Sequence, residues 1–147
     1  MYFSYLDGNL ILSNQTLARV RNLFQDNDNL FDIKGQPVLT HVDFQSKNIK
    51  YYQGKINGIF DFDECLGAHN EFDFTKVNLP YTVDNSFIDG IIKGYREIGS
   101  LSEDFFKRVR LYSLGAILNA LWFSHSNKLI TPAFKAKYLK AIEDLLN

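Results

Sequence analysis

Between Leu111 and Trp122 the chain is apolar on nearly every face, and Asn119 interrupts the apolar pattern near its end. A helix of that kind has no side to give to water, so it belongs at the centre of other helices. The run is too short to span a bilayer. The stretches around it agree with a helical domain. Ser102-Glu103-Asp104 offers a cap for a helix carrying Phe105, Phe106, Val109, Tyr112, Ile117, Leu118, Leu121 and Trp122. Phe87, Ile88, Ile91, Ile92, Tyr95 and Ile98 recur at helical spacing and stop near Gly99. Thr131-Pro132 opens a last helix with Phe134, Tyr138, Ile142 and Leu145 inward. Asn14 to Gln25 sets Leu17, Val20, Leu23 and Phe24 on one side, with Ser13 or Asn14 as cap and Asp26-Asn27-Asp28-Asn29 as stop.

Only the middle of the chain departs from helical spacing. Pro37-Val38-Leu39-Thr40 reads as a short buried strand or extended lead-in. Ile49 to Tyr52 and Lys55 to Phe60 read as two strands joined at Gln53-Gly54, where glycine permits a positive φ. After Asp61 the pattern is irregular through Gly67-Ala68-His69-Asn70. The expected fold is α+β and mostly helical, a single domain over 1–147, with a small β-hairpin presenting polar residues at its ends. Its loops fall within 36–77 and its helical subdomain within 86–147.

Composition narrows the partners. With 147 residues, 46% hydrophobic and 22% charged, the chain is expected to be a soluble globular protein. A net charge of −1 gives no global attraction to nucleic acid or to an anionic membrane. One cysteine, Cys65, forms no internal disulfide, and Met1-Tyr2-Phe3-Ser4 lacks the basic flank and apolar core of a signal peptide. Together these point to a cytoplasmic location. Cys65 has no activating neighbour in the sequence, and His69 has no second histidine or cysteine at metal-ligand spacing.

The polar residues at the hairpin ends have the form His-x-Asp-x-x-x-x-Asn, a strand pair, then an aspartate: His41, Asp43, Asn48 and Asp61. That spacing suits a grip on metal-bound phosphate. Phosphoryl transfer asks a protein for alignment and for neutralisation of charge spread over phosphate oxygens. Magnesium takes oxygen ligands, with only one or two carboxylates beside the phosphates. Asn48 and Asp61 fit that role, Asp43 would face an incoming hydroxyl, and His41 braces the loop. Asp63 and Glu64 read either as substrate or metal contacts or as solvated loop acids, Lys47 either as a phosphate contact or as a surface lysine. Asp73 reads as a brace for backbone. The acidic set Asp43, Asp61, Asp63, Glu64, Glu71 and Asp73 would suit a small hydroxyl-bearing, cationic substrate as well as magnesium.

Residues His41 to Val77 resemble the catalytic segment of the aminoglycoside phosphotransferase and choline kinase-like family, relatives of the protein kinases. The matching stretches are Leu39 to Ile49 and Gly58 to Glu64. Glu71-Phe72-Asp73-Phe74 is similar to the family's later acidic element, and Gly94-Tyr95-Arg96 and Arg108 to Tyr112 to its C-terminal helices. The resemblance covers roughly 36 to 147. It implies the C-terminal lobe of a protein-kinase-like fold, a catalytic role for Asp43, Mg2+ on Asn48 and Asp61, and ATP or GTP as donor. Three departures stand out. Val42 occupies a position where the family usually has glycine, and Gln45 one where histidine or lysine is frequent. The residues before Gln36 hold no counterpart of the family's glycine-rich loop, lysine and glutamate, so the expectation is a truncated lobe of low activity alone, prone to self-association or awaiting a complementing N-terminal lobe. Two other readings compete: a kinase-derived binding module or remnant without catalysis, and a metal-dependent phosphohydrolase using His41, Asp43, Asp61 and Asp63.

Overall fold

The helices from Asn14 and from Pro132 begin where side chains close their first turns, while the Ser102 hydroxyl expected to cap the helix from Phe105 accepts from Arg108 instead. This computed structural model describes residues 11–32, 35–76, 79 and 85–147; the chain start at Met1 and the end of the 36–77 stretch at Val77 lie outside the described residues. In chain order the elements are α1 (Asn14–Gln25), β1 (Val38–Thr40), β2 (Ile49–Tyr52), β3 (Lys55–Ile59), β4 (Leu66–Ala68), α2 (Asn85–Ile98), α3 (Phe105–Ser126) and α4 (Pro132–Leu146). Single 3-10 turns lie at Asp28–Phe31, Ser46–Asn48 and Asn70–Phe74. Two compact units form, Met1–Asp32 with Leu114–Asn147, and Ile33–Ser113.

In the first unit, the Ser13 hydroxyl caps α1 by accepting from the Thr16 N–H at 3.0 Å. Thr131 caps α4 in the same way, accepting from the Phe134 N–H at 3.2 Å, with Pro132 in the first turn where no donor is needed. Leu17 and Val20 of α1, Leu114, Ile117, Leu118 and Leu121 of α3, and Tyr138 and Ile142 of α4 are buried. Asn119, the polar interruption of the apolar run, is exposed. Arg19 joins α1 to Glu143 of α4 at 2.5 Å; both side chains are partly exposed, so the pair contributes about 0–1 kcal/mol beside the apolar packing.

The second unit carries the hairpin. β2 and β3 pair antiparallel, with Tyr52 opposite Lys55, which leaves Gln53-Gly54 as a two-residue turn. Both turn residues have positive φ, 49° and 74°, the backbone that matches strand twist in a tight hairpin. The register shifts between Lys50 and Tyr51, a bulge that twists the ribbon before its base. The core of this unit is Phe74, Phe105 and Val109, against which Phe87, Ile88, Ile91, Ile92, Tyr95 and Leu101 pack. Phe74 meets Phe105 edge-on at 4.8 Å.

Two local expectations need correction, and two apolar residues of the helical patterns are exposed. Val38-Leu39-Thr40 is a strand, but not a buried one: Leu39 is 70% exposed and only Thr40 is buried. The segment after Asp61 is not wholly irregular, because β4 pairs antiparallel with β1, Thr40 opposite Leu66. Ile98 keeps the helical spacing yet is 91% exposed, since it is the final residue of α2 and the chain turns away at Gly99. Phe106, named with the apolar residues of α3, is also exposed.

Candidate active site

The base of the hairpin fixes the geometry of the site. Ile49 pairs with Ile59, and one step further the Phe60 N–H donates to the Asn48 carbonyl at 2.9 Å. The Phe60 carbonyl accepts from His41 Nε2 at 2.7 Å. A carbonyl only accepts, so Nε2 carries a proton. Nδ1 is buried without a partner, and the ring lies 4.4 Å from that of Phe62. The His41 ring thus bonds the loop before Asp43 to the residue before Asp61 and lies beside the Phe44 and Phe62 rings. Asp61 follows directly, exposed, with φ +66°.

Asp43 sits on a strained turn. The Asp43 N–H donates to the His41 carbonyl at 2.8 Å, closing a three-residue turn about Val42, which has φ +66°. A β-branched residue seldom adopts this left-handed backbone. Asp73 holds it there: its Oδ1 accepts from the His41 N–H at 2.6 Å and the Val42 N–H at 3.0 Å. Asp73 belongs to the 3-10 turn Asn70–Phe74, in which side chains three apart eclipse. Glu71 and Phe74 thus share the buried face, and Asp73 lies off it toward the loop. Glu71 is buried and accepts from Arg108 Nε at 2.7 Å and from the Ser102 N–H at 3.0 Å. The Ser102 hydroxyl accepts from Arg108. One short turn thereby ties the loop, the start of α3 and the core to each other.

The Asp43 carboxylate is well supplied with donors. Oδ1 accepts from Gln45 and lies 3.1 Å from the Lys76 ammonium; Oδ2 accepts from Asn48 Nδ2 at 2.9 Å and lies 3.0 Å from Lys47. Burial pushes its pKa up, but the hydrogen bonds from Lys47, Lys76 and Asn48 outweigh it, and the net direction is down. Burial pushes the Lys76 ammonium down, and Glu64 and Asp43 more than reverse that. Glu71 follows the same logic, raised by burial and brought below its usual value by Arg108 and Ser102. His69, beside this pair, is lowered mainly by burial. Lysine 76 is the residue that spacing alone missed; it follows the acidic turn, and no periodicity marks it.

The proposed metal ligands fit the chemistry of magnesium. The Asn48 amide nitrogen donates to both the Asp43 carbonyl and Oδ2, which leaves its amide oxygen for a cation. Asp61 offers an exposed carboxylate two residues beyond the end of β3. Glu64 pairs with Lys76 at 2.5 Å, and Asp63 is exposed. Among the described residues no three histidine, cysteine, aspartate or glutamate side chains converge as a metal cage, so His41, Asp43, Asp61 and Asp63 do not form a phosphohydrolase-type cluster.

A family model for fructosamine kinase matches residues 9–146. The chain belongs to the fructosamine kinase family. That family lies within the protein-kinase-like superfamily, the kinship that the His41–Asp61 segment resembles. A solved structure, the gentamicin–APH(2")-IIa complex, is similar to this chain with a TM-score of 0.62 at 18% identity, over 99% of this chain and 48% of that one. The chain thus spans about half the length of that relative, and its fold is a partial kinase-like fold, mostly helical with small antiparallel sheets. A search among curated proteins gives no match. Among the described residues no helix is long and apolar enough to cross a membrane.

Proposed function

We propose that this member of the fructosamine kinase family carries the acceptor- and metal-facing part of a site that transfers a phosphoryl group from ATP or GTP to a hydroxyl of a small molecule. The observation that carries the reading is the 2.9 Å bond between the Phe60 N–H and the Asn48 carbonyl. It joins the two ends of the hairpin, so Asn48 just before one strand and Asp61 just beyond the other flank the same base, with Asp43 bonded to the Asn48 amide.

In this reading Asp43 receives the acceptor hydroxyl, aligns it and takes its proton. The hydroxyl enters on the Oδ2 side, where the Lys47 side chain that pairs with the buried Asp43 is itself 59% exposed. The donors around Asp43 keep it ionised at neutral pH. They also make it a weak base, which suits a reaction governed by positioning and charge rather than by deep proton abstraction. The Asn48 amide oxygen and the Asp61 carboxylate would hold Mg2+, which when bound neutralises the phosphate oxygens. His41 and Asp73 keep the two loops in register.

Calorimetry with magnesium–ATP and transfer of labelled phosphate to a panel of polyols test the reading. Asn48→Ala and Asp61→Asn are each expected to weaken magnesium–ATP at least tenfold. Asp43→Asn is expected to leave that binding intact and lower transfer about 10²–10⁴-fold. Equal transfer by the Asp43→Asn protein would refute the role given to Asp43. The saturation of Asp43 by four donors favours one second reading, a nucleotide-binding module without turnover; magnesium–ATP binding with no transfer to any hydroxyl would support it.

A further inference from the structure

Among the described residues two ammonium groups reach the Asp43 carboxylate, and they are held differently. Lys76 Nζ lies 3.1 Å from Oδ1 and 2.5 Å from Glu64 Oε2, so two carboxylates fix it, and its side chain is 19% exposed. Lys47 Nζ lies 3.0 Å from Oδ2, and its side chain is 59% exposed. Lys47 is the middle residue of the 3-10 turn Ser46–Asn48, so it stands between Asp43, assigned to the hydroxyl, and Asn48, assigned to the metal. We propose that Lys47 is a catalytic residue: when the acceptor hydroxyl takes its place on Oδ2, the released ammonium binds the oxygens of the phosphoryl group in transfer.

The inference rests on the phosphotransferase reading and supplies a positive charge on its acceptor side. An ionised Asp43 and a phosphoryl group have charges of one sign, and the reaction brings them to opposite sides of one hydroxyl oxygen. The exposed carboxylates of Asp61 and Asp63 add to that repulsion. Lys76 answers it only by leaving two carboxylates, whereas Lys47 leaves one. The exchange also leaves no charge bare. The hydroxyl replaces the ammonium at Asp43, and the phosphoryl oxygens replace the carboxylate at Lys47, each through a charge-assisted bond. A hydroxyl bonds a carboxylate at about 2.7 Å, so it stands where the ammonium stood. Reacting atoms approach to about 3–3.5 Å before attack, which keeps the phosphoryl oxygens within the sweep of a long, flexible lysine stem. In the step itself the acceptor oxygen bonds to the terminal phosphorus. The bond from that phosphorus to the bridging oxygen breaks, its electron pair leaves on the nucleoside diphosphate, and the hydroxyl proton passes to Asp43. Lys47 donates hydrogen bonds and transfers no proton.

Fluoroaluminate bound beside magnesium–ADP has the shape and charge of a phosphoryl group in transfer, so its capture tests the proposal without turnover. It is titrated by calorimetry into protein saturated with magnesium–ADP. Lys47→Met is expected to weaken fluoroaluminate about tenfold or more, with the affinity for magnesium–ADP alone unchanged. Lys47→Arg, which keeps the charge, is expected to stay within about threefold of the wild type. Fluorine NMR of the bound fluoroaluminate should show a resonance displaced in Lys47→Met, which a merely structural lysine would not cause. Should the methionine protein not fold, Lys47→Gln is measured instead. Equal capture of fluoroaluminate by Lys47→Met and wild type overturns the proposal and leaves the phosphotransferase reading standing. So does an equal loss of affinity for magnesium–ADP and for fluoroaluminate, or a wild type that binds magnesium–ADP and captures no fluoroaluminate. A wild type that does not bind magnesium–ADP overturns that reading, and the proposal with it.

Discussion

Asp73→Ala removes the acceptor of two adjacent N–H groups, those of His41 and Val42, both in buried residues. A hydrogen bond to a charged partner contributes about 1.5–3 kcal/mol, so the two together contribute about 3–6 kcal/mol. Part of that returns, because without the clamp the turn opens and releases the strain of Val42 at φ +66°, about 1–3 kcal/mol. The expected net loss is about 3 kcal/mol, a sizeable share of a total stability on the order of 5–15 kcal/mol. For a chain of this size that lowers the melting temperature by roughly 6–12 °C. Urea denaturation followed by circular dichroism measures it. The same substitution is then repeated in a Val42→Gly background, where the left-handed backbone carries no strain. The two changes are expected to couple by about 1–2 kcal/mol, since the clamp and the strain act on one turn. A loss below 1 kcal/mol, or equal losses in both backgrounds, would refute the reasoning.

Two other outcomes follow from single features. Glu71 is held below its usual value of 4.5, so the stability it contributes through Arg108 is fully present above that pH and drains away as pH falls below it. Glu71→Gln should flatten the acid limb of the stability profile and cost about 3–5 kcal/mol at neutral pH, because it removes the carboxylate from a buried ion pair with Arg108. An unchanged acid limb would show that other carboxylates govern it. Gly54→Ala should cost about 1–2 kcal/mol by denaturation, from the backbone alone, since φ is +74° and nothing lies within 4 Å of an added Cβ.

The helices were legible because their information is local. Ser13, Thr131 and Pro132 mark the ends of α1 and α4, and the all-round apolar run of α3 meets a buried surface. The hairpin was legible for the same reason: Gly54 in a two-residue turn fixes the register of its neighbours. The pairing of β1 with β4 was not, because both are three-residue strands and the register depends on a partner 26 positions away. Lys76 was hidden for a similar reason: its pairing with Asp43 and Glu64 is a tertiary meeting of three loops. Val42 stood out only as a departure from a glycine position. The structure gives that departure a physical meaning, a left-handed residue held in place by Asp73.

The account depends on Asn48 and Asp61 sharing one divalent cation beside Asp43. Manganese–ATP in place of magnesium–ATP tests this directly, because the paramagnetic ion broadens NMR signals within about a nanometre. The expected result is selective loss of the Asn48 side-chain amide and of the Asp43 and Asp61 backbone signals, and restoration by excess magnesium. Broadening elsewhere, with Asn48 and Asp61 signals intact at saturating manganese–ATP, would contradict it.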